Sequence, residues 1–285
     1  MSTSTPTRVF TPTGHDVSFG GAVRSEWIKL RTIRSTWWCY AILFVLVVGF
    51  SALLSSTLSV EPAPTGAAAQ SLAVQAVTIS TTFGALVVSV LGVLIISGEY
   101  GTGMIRSTLT AVPKRLPALV AKALVFAIAT FVVSAISFAV SVPISVALLS
   151  GKGLEIDLGD SQYWLALLGG VGYLVLVGLI AFSLGAIIRN TAGGVAVALG
   201  LVLAAPIVLS IISALTQLTW VLNLEKLLPS SAGGLLSTYP VSDAAAAPTP
   251  DGVWVLEPWQ GGLILVVWFV VLFTTAAVLL KRRDA

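Results

Sequence analysis

Six stretches of this chain are each about as long and apolar as a membrane is thick. They run roughly over residues 37–56, 76–97, 119–149, 163–188, 192–215 and 260–280, and none carries Asp, Glu, Lys or Arg in its central part. About 20 apolar residues cross the hydrocarbon core as a helix. Backbone N–H and C=O groups must be satisfied internally there, so apolar runs of this length become helices. The pattern predicts an all-α polytopic membrane protein with six transmembrane helices. Hydrophobic residues make up 56% of the 285 and charged residues 9%, against roughly 25% charged in an ordinary soluble domain. Mean hydropathy is +1.00.

The connecting segments set an orientation, because cytoplasmic loops collect Lys and Arg. The segments before span one, after span two, after span four and after span six together hold 13 of the 15 basic residues. Lys152 and Lys226 are left for the other face, among Glu61, Glu155, Asp157, Asp160, Glu225, Asp243, Asp251 and Glu257. Both termini are therefore expected in the cytoplasm. The Ser/Thr/Pro-rich start reads as a disordered tail over residues 1–18, followed by one six-span domain over 19–285. A cleaved signal peptide fits poorly, since the first apolar run starts only at residue 37 and is too long for an h-region.

Several function classes are unsupported. A single cysteine, Cys39, rules out a disulfide framework or a cysteine-rich metal site, and the single histidine, His15, lies in the polar tail. The excess of basic residues follows membrane topology and does not call for nucleic acid. Tyr163, Trp164, Trp254 and Trp259 flank outer ends of spans, and Trp37, Trp38 and Tyr100 flank inner ends, as an aromatic belt requires. Small residues recur at helical spacing at Ala196, Gly200 and Ala204, and at Ala181 and Gly185. They suit close helix approach, although Ala and Gly are also simply abundant. Pro143 and Pro206 predict kinks or local unwinding within spans.

Residues 19–36 place Val23, Trp27, Leu30 and Trp37 on one helical face with Arg24, Lys29, Arg31 and Arg34 around it. This predicts a helix lying in the cytoplasmic interface and feeding span one. Residues 216–259 form the longest loop; its first part is too apolar for solvent and too interrupted to span. One or two short helices, dipping into the outer leaflet or capping the spans, are expected there, followed by a flexible linker at 241–252.

The segment ISGEYGTGMIRSTLTAVPKR, residues 95–114, combines glycines with basic residues. A P-loop would need G-x-x-x-x-G-K-[ST] after a strand, and neither the Lys-Ser/Thr pair nor the strand is present. Thr102 can cap a helix that carries Met104, Ile105, Leu109 and Val112 and stops at Pro113, with Lys114 and Arg115 near its end. A helix over 102–112, too short to span, is expected at the cytoplasmic face. Glu99 either bonds backbone N–H groups around 101–103 or takes part in coupling, and both can hold. Arg106 is either a solvated charge or a partner for an acidic groove.

Two of these stretches resemble known sequences. SEWIKLRTIRSTWW before span one is similar to the entry helix of bacterial type-2 ATP-binding-cassette (ABC) permeases, through Glu26, Trp27, Lys29, Leu30, Arg31, Arg34, Ser35 and Trp37. GEYGTGMIRSTLTAVPKR with ALVAK resembles their cytoplasmic loop after span two, through Glu99, Tyr100, Gly103, Ile105, Arg106, Pro113 and Lys122. Gly101 and Met104 depart from the usual bulkier polar or basic residue and Thr. LPSSAGG, 228–234, resembles part of the last outer loop.

The resemblance implies a type V exporter arrangement with an N-terminal interfacial connecting helix. It implies a non-catalytic permease in a bacterial plasma membrane, paired with a second permease as homodimer or heterodimer. Two copies of an ABC ATPase, carrying ATP and Mg on separate chains, would serve the pair. Contact with the ATPase would fall to the coupling helix 102–112 and its flanks, through Glu99, Tyr100, Thr102, Gly103, Ile105, Arg106, Leu109 and Lys114. The connecting helix would use Glu26, Trp27, Lys29, Arg31 and Arg34, against membrane lipid.

The expected function is thus an exporter permease for a hydrophobic or amphipathic substrate. A gradient-driven secondary transporter or channel, using backbone polarity at Pro143, Pro206 and the GGVGY start of span four, is the alternative. Against it, no span interior carries the ionisable residue that a proton or ion relay needs.

Overall fold

The structure, a computed structural model, describes residues 18–58, 63–101, 103, 115–241 and 251–282. It is helical, with no strand among the described residues. Helix α1 covers Phe19–Thr32, α2 Arg34–Thr57, α3 Ala67–Thr78, α4 Thr81–Gly101, α5 Arg115–Ser150 and α6 Ser161–Ile188. Span five is built from α7 (Thr191–Leu199), a π-helical turn at Gly200–Ala204 and α8 (Ala205–Thr216). Two short helices, α9 (Thr219–Lys226) and α10 (Pro229–Leu236), precede α11 (Pro258–Arg282). Six helices, counting α3 with α4 and α7 with α8, are long and apolar enough to cross a membrane.

The entry helix is shorter than the expected 19–36. Ser18 starts it, its hydroxyl accepting from the Gly21 N–H at 3.2 Å. Ile33 is extended and separates it from α2. Its inward face differs by part of a turn from the apolar stripe of the sequence: Ala22 and Glu26 are buried, while Trp27 is 40% exposed. The carboxylate goes inward because cations wait for it there, and the Trp ring is left on the outside, where a headgroup layer would receive it.

Span two begins at residue 67 and is interrupted at Ile79–Ser80. Hydroxyls take over at the interruption. Ser80 donates to the Val77 carbonyl at 2.7 Å and Thr81 to the Thr78 carbonyl at 2.7 Å, which meets backbone demand inside an apolar layer. The proline expectations divide. Helix α5 runs unbroken through Pro143, whereas the π turn stands directly before Pro206 in span five. Proline has no N–H to continue the i−4 ladder, and a π turn is one way to absorb that loss.

Helices α4 and α6 pack most tightly, because glycine permits it. A Cβ on Gly92 would lie 2.5 Å from the Gly178 carbonyl oxygen, and one on Gly185 would lie 3.0 Å from Val93 Cα. Between apolar spans the gain comes from such close contact and not from water release. The Ala181/Gly185 pair therefore does serve helix approach, whereas Ala196 and Ala204 are exposed in this chain. The GGVGY start of span four lies within continuous helix, with Gly169 against the Leu236 carbonyl and Gly170 against Phe138. These two glycines serve packing, and the segment does not unwind the backbone.

The loop between spans five and six folds back along span six. Trp268 Nε1 donates to the Leu227 carbonyl at 2.9 Å, ten residues past Pro258 and so roughly 15 Å along α11. Asn223 and Lys226 tie α9 to the strand-like approach of span six at Gly252 and Trp254. Of the backbone-breaking residues of this loop, Pro229 and Gly233 are buried, Gly233 against the Tyr173 ring, and Gly234 is exposed. Of the aromatic belt, Trp37, Trp38, Trp164, Trp254 and Trp259 are exposed, but Tyr163 is fully buried in the core. At the start of α6 Tyr239 donates to Asp160 at 2.6 Å. That hydrogen bond, with some burial and the charges of Asp160 and Asp157, pushes its phenol up to about 12. The tail, most of the 241–252 linker and the segment 104–114 lie outside the described residues.

Candidate functional site

Three helices bring four charged side chains together at the end of the molecule where α4 stops and α5 starts. Lys29 Nζ lies 2.8 Å from Glu26 Oε1 and 3.0 Å from Glu99 Oε1. Lys122 Nζ lies 2.7 Å from Glu99 Oε1 and also bonds Glu26 Oε2. Glu26 and Lys29 share a face of α1 because they are three residues apart. Glu99 stands in the last turn of α4, and Lys122 enters from the second turn of α5.

Glu26, Glu99 and Lys122 are buried, while the side chain of Lys29 keeps a quarter of its surface exposed. Burial alone lowers the Lys29 ammonium pKa, but the bonds and charges of Glu26 and Glu99 outweigh it and hold the proton above the ordinary value of 10.5. Two carboxylates and two ammonium groups cancel, so the cluster can sit at the margin of an apolar layer. Removing one member would strand a buried charge, which is far costlier than the pair is stabilising.

This arrangement corrects the sequence reading of Glu99. Its bonded oxygen faces lysines from two other helices and not the backbone N–H groups at 101–103. Lys122, matched within the loop after span two, is buried inside α5. The pairing had one trace in sequence: opposite charges on the entry helix, at the end of span two and near the start of span three.

The other expected residues are placed as follows. Trp27, Arg31 and Arg34 are exposed; the Arg31 carbonyl accepts from Trp37 Nε1 at 2.8 Å. Tyr100 lies under the Arg189 guanidinium, 5.1 Å from the ring centroid. Gly103 adopts φ +72, with its N–H 3.3 Å from the Tyr100 carbonyl, so the chain turns sharply as it leaves α4. That is a left-handed conformation that glycine takes without strain. Thr102, Ile105, Arg106, Leu109 and Lys114, and with them the expected helix 102–112, lie outside the described residues.

Arg189 was counted in the sequence only as a topological charge. It caps α6 in a left-handed conformation, φ 57, and reaches both Tyr100 and the Leu279 carbonyl, the latter at 3.4 Å. The ends of α4, α6 and α11 are thereby joined beside the four-charge cluster. Among the described residues no group of three His, Cys, Asp or Glu could hold a metal. The arrangement is mechanical: it ties helix ends together.

Residues 22–206 match the family model described as ABC-2 family transporter protein. The match runs from α1 into the Pro206 turn of span five and contains all four charged residues of the cluster. No curated protein matches the chain. A match over most of the chain, onto an all-helical structure with six spans, shows that it belongs to the ABC-2 transporter family, as the multi-pass permease subunit of an ABC transporter that associates with an ABC ATPase.

Proposed function

We propose that this chain is the permease of an ATP-driven exporter in a bacterial plasma membrane, with both termini cytoplasmic. It lines the path of a hydrophobic or amphipathic substrate, and two copies of a separate ABC ATPase drive it. A second permease, identical or related, completes the path, and ATP and Mg are handled on the ATPase. The observation that carries this reading is the position of the charged cluster. Glu99 and Lys122 stand on the helices that flank residues 102–114, and both are bonded to α1. Force applied to the connecting segment by an ATPase would reach α4, α5 and the entry helix together.

Uncharged span interiors favour an apolar cargo and an external motor over an ion relay. In this reading Tyr100, Thr102, Gly103, Ile105, Arg106, Leu109 and Lys114 meet the ATPase, with Glu99 bracing them. The test is reconstitution with the ABC ATPase that co-purifies with this chain. Glu99→Ala should insert normally but lose the stimulation of ATP hydrolysis by whichever amphipathic compound stimulates the wild type. Full stimulation in the variant would refute the coupling role.

A further inference from the structure

Between α1, α2, α4 and α5 lies a cleft of about 360 Å³ with two distinct surfaces. Its walls are apolar, from Leu91, Leu94, Ile95 and Val125, and its floor is the four-charge cluster. Of the four carboxylate oxygens of Glu26 and Glu99, three are bonded: Glu26 Oε1 and Oε2 and Glu99 Oε1 each receive a lysine, while buried Glu99 Oε2 receives nothing. A buried carboxylate oxygen calls for a donor; Glu99 lines the cleft, and a donor entering there meets Oε2 when the carboxylate turns.

The depth of the cleft constrains its occupant. Ile33 and Ser35 line it at the joint between α1 and α2. Next to them on α2, Trp37 and Trp38 are 63% and 70% exposed. Exposed Trp rings on a spanning helix mark the level of lipid headgroups. A volume of this size falls within the range of small-ligand sites. Because the cluster is already neutral, an added cation is best balanced within the same ligand by an anion, and Lys29, the most exposed of the four, lies where a phosphate could approach.

We propose that this cleft binds a bilayer phospholipid with a primary-ammonium headgroup. The ammonium donates to Glu99 Oε2, the phosphodiester lies toward Lys29, and an acyl chain runs along Leu91, Leu94 and Ile95. Phosphatidylethanolamine has this chemistry. Phosphatidylcholine has the same phosphate and chains but no N–H to give, so the two lipids isolate the contact.

Full-length protein purified in mild detergent would be incubated with an equimolar mixture of the two lipids, and the retained lipid measured by native mass spectrometry. Wild type should retain the ethanolamine lipid over the choline lipid by roughly tenfold or more, as a charge-assisted hydrogen bond implies. Gly98→Leu adds bulk to the cleft lining from α4 and keeps all four charges, and a Cβ there meets nothing within 4 Å. It should abolish the preference, as should Leu94→Phe from the same helix, with thermal stability in choline lipid retained. Equal retention of both lipids by wild type would overturn the proposal, assigning the Oε2 contact to water. So would a preference that survives both cleft-filling variants, which would place the lipid elsewhere.

Discussion

Lys122→Met is the sharpest perturbation of the charged cluster. The side chain is 6% exposed and bonds a carboxylate on each of two other helices. Its removal leaves Glu26 and Glu99 sharing Lys29, with one uncompensated negative charge in a buried place. Breaking a buried ion pair by deleting one partner costs about 3–5 kcal/mol. The lower end applies here, since Lys29 still reaches both carboxylates at 2.8 and 3.0 Å. The double variant Glu99→Gln/Lys122→Met restores neutrality, leaving one carboxylate with one ammonium. It should be more stable than the sum of the single losses allows, by about 1–3 kcal/mol in a double-mutant cycle. Unfolding in mixed micelles, from mild detergent to SDS, measures all four proteins on one scale. A loss below about 1 kcal/mol for Lys122→Met, or single losses that simply add, would refute the account of a coupled buried cluster.

Two further expectations concern packing and orientation. Gly92→Ala drives a methyl to 2.5 Å from the Gly178 carbonyl oxygen and should cost about 1–3 kcal/mol by forcing α4 from α6, in the same unfolding assay. Gly172→Ala, on the same α6 but with open space around it, should be neutral or stabilising by up to about 1 kcal/mol. With Cys39 replaced by Ser, a cysteine at Ser161 should react with an impermeant reagent in intact cells and one at Ser107 only after permeabilisation. The reverse would overturn the topology.

Of the site, the sequence showed the participants more clearly than the partnership. Glu26, Lys29 and Glu99 were all singled out, but as a connecting-helix charge pattern and a separate helix-end carboxylate. Their bonds cross 70 residues between Lys29 and Glu99 and 96 between Glu26 and Lys122, and no local periodicity encodes a contact at that separation. In sequence Lys122 looks like a loop charge, because a lone Lys at the margin of an apolar run carries a topological signal. The inward face of α1 was misjudged for a related reason. Trp27 and Leu30 are the apolar residues, yet Glu26 is the one the neighbouring helices bury.

The sequence by itself determined the number of spans, one or two short helices in the loop before span six and the segregation of basic residues to one set of connections. These are legible because crossing lipid is a one-dimensional requirement: enough apolar residues in a row, with every backbone group bonded inside its own helix. Only the tertiary structure decided which face of each span is buried, that span two is interrupted at Ile79–Ser80, that Tyr163 belongs to the core and that four charges close one cluster. Apolar side chains suit lipid and protein equally, so hydropathy carries no record of which neighbour each face meets. That record lies in shape, in the glycines that let α4 touch α6, and in charges that can be buried only where an opposite charge from another helix is waiting.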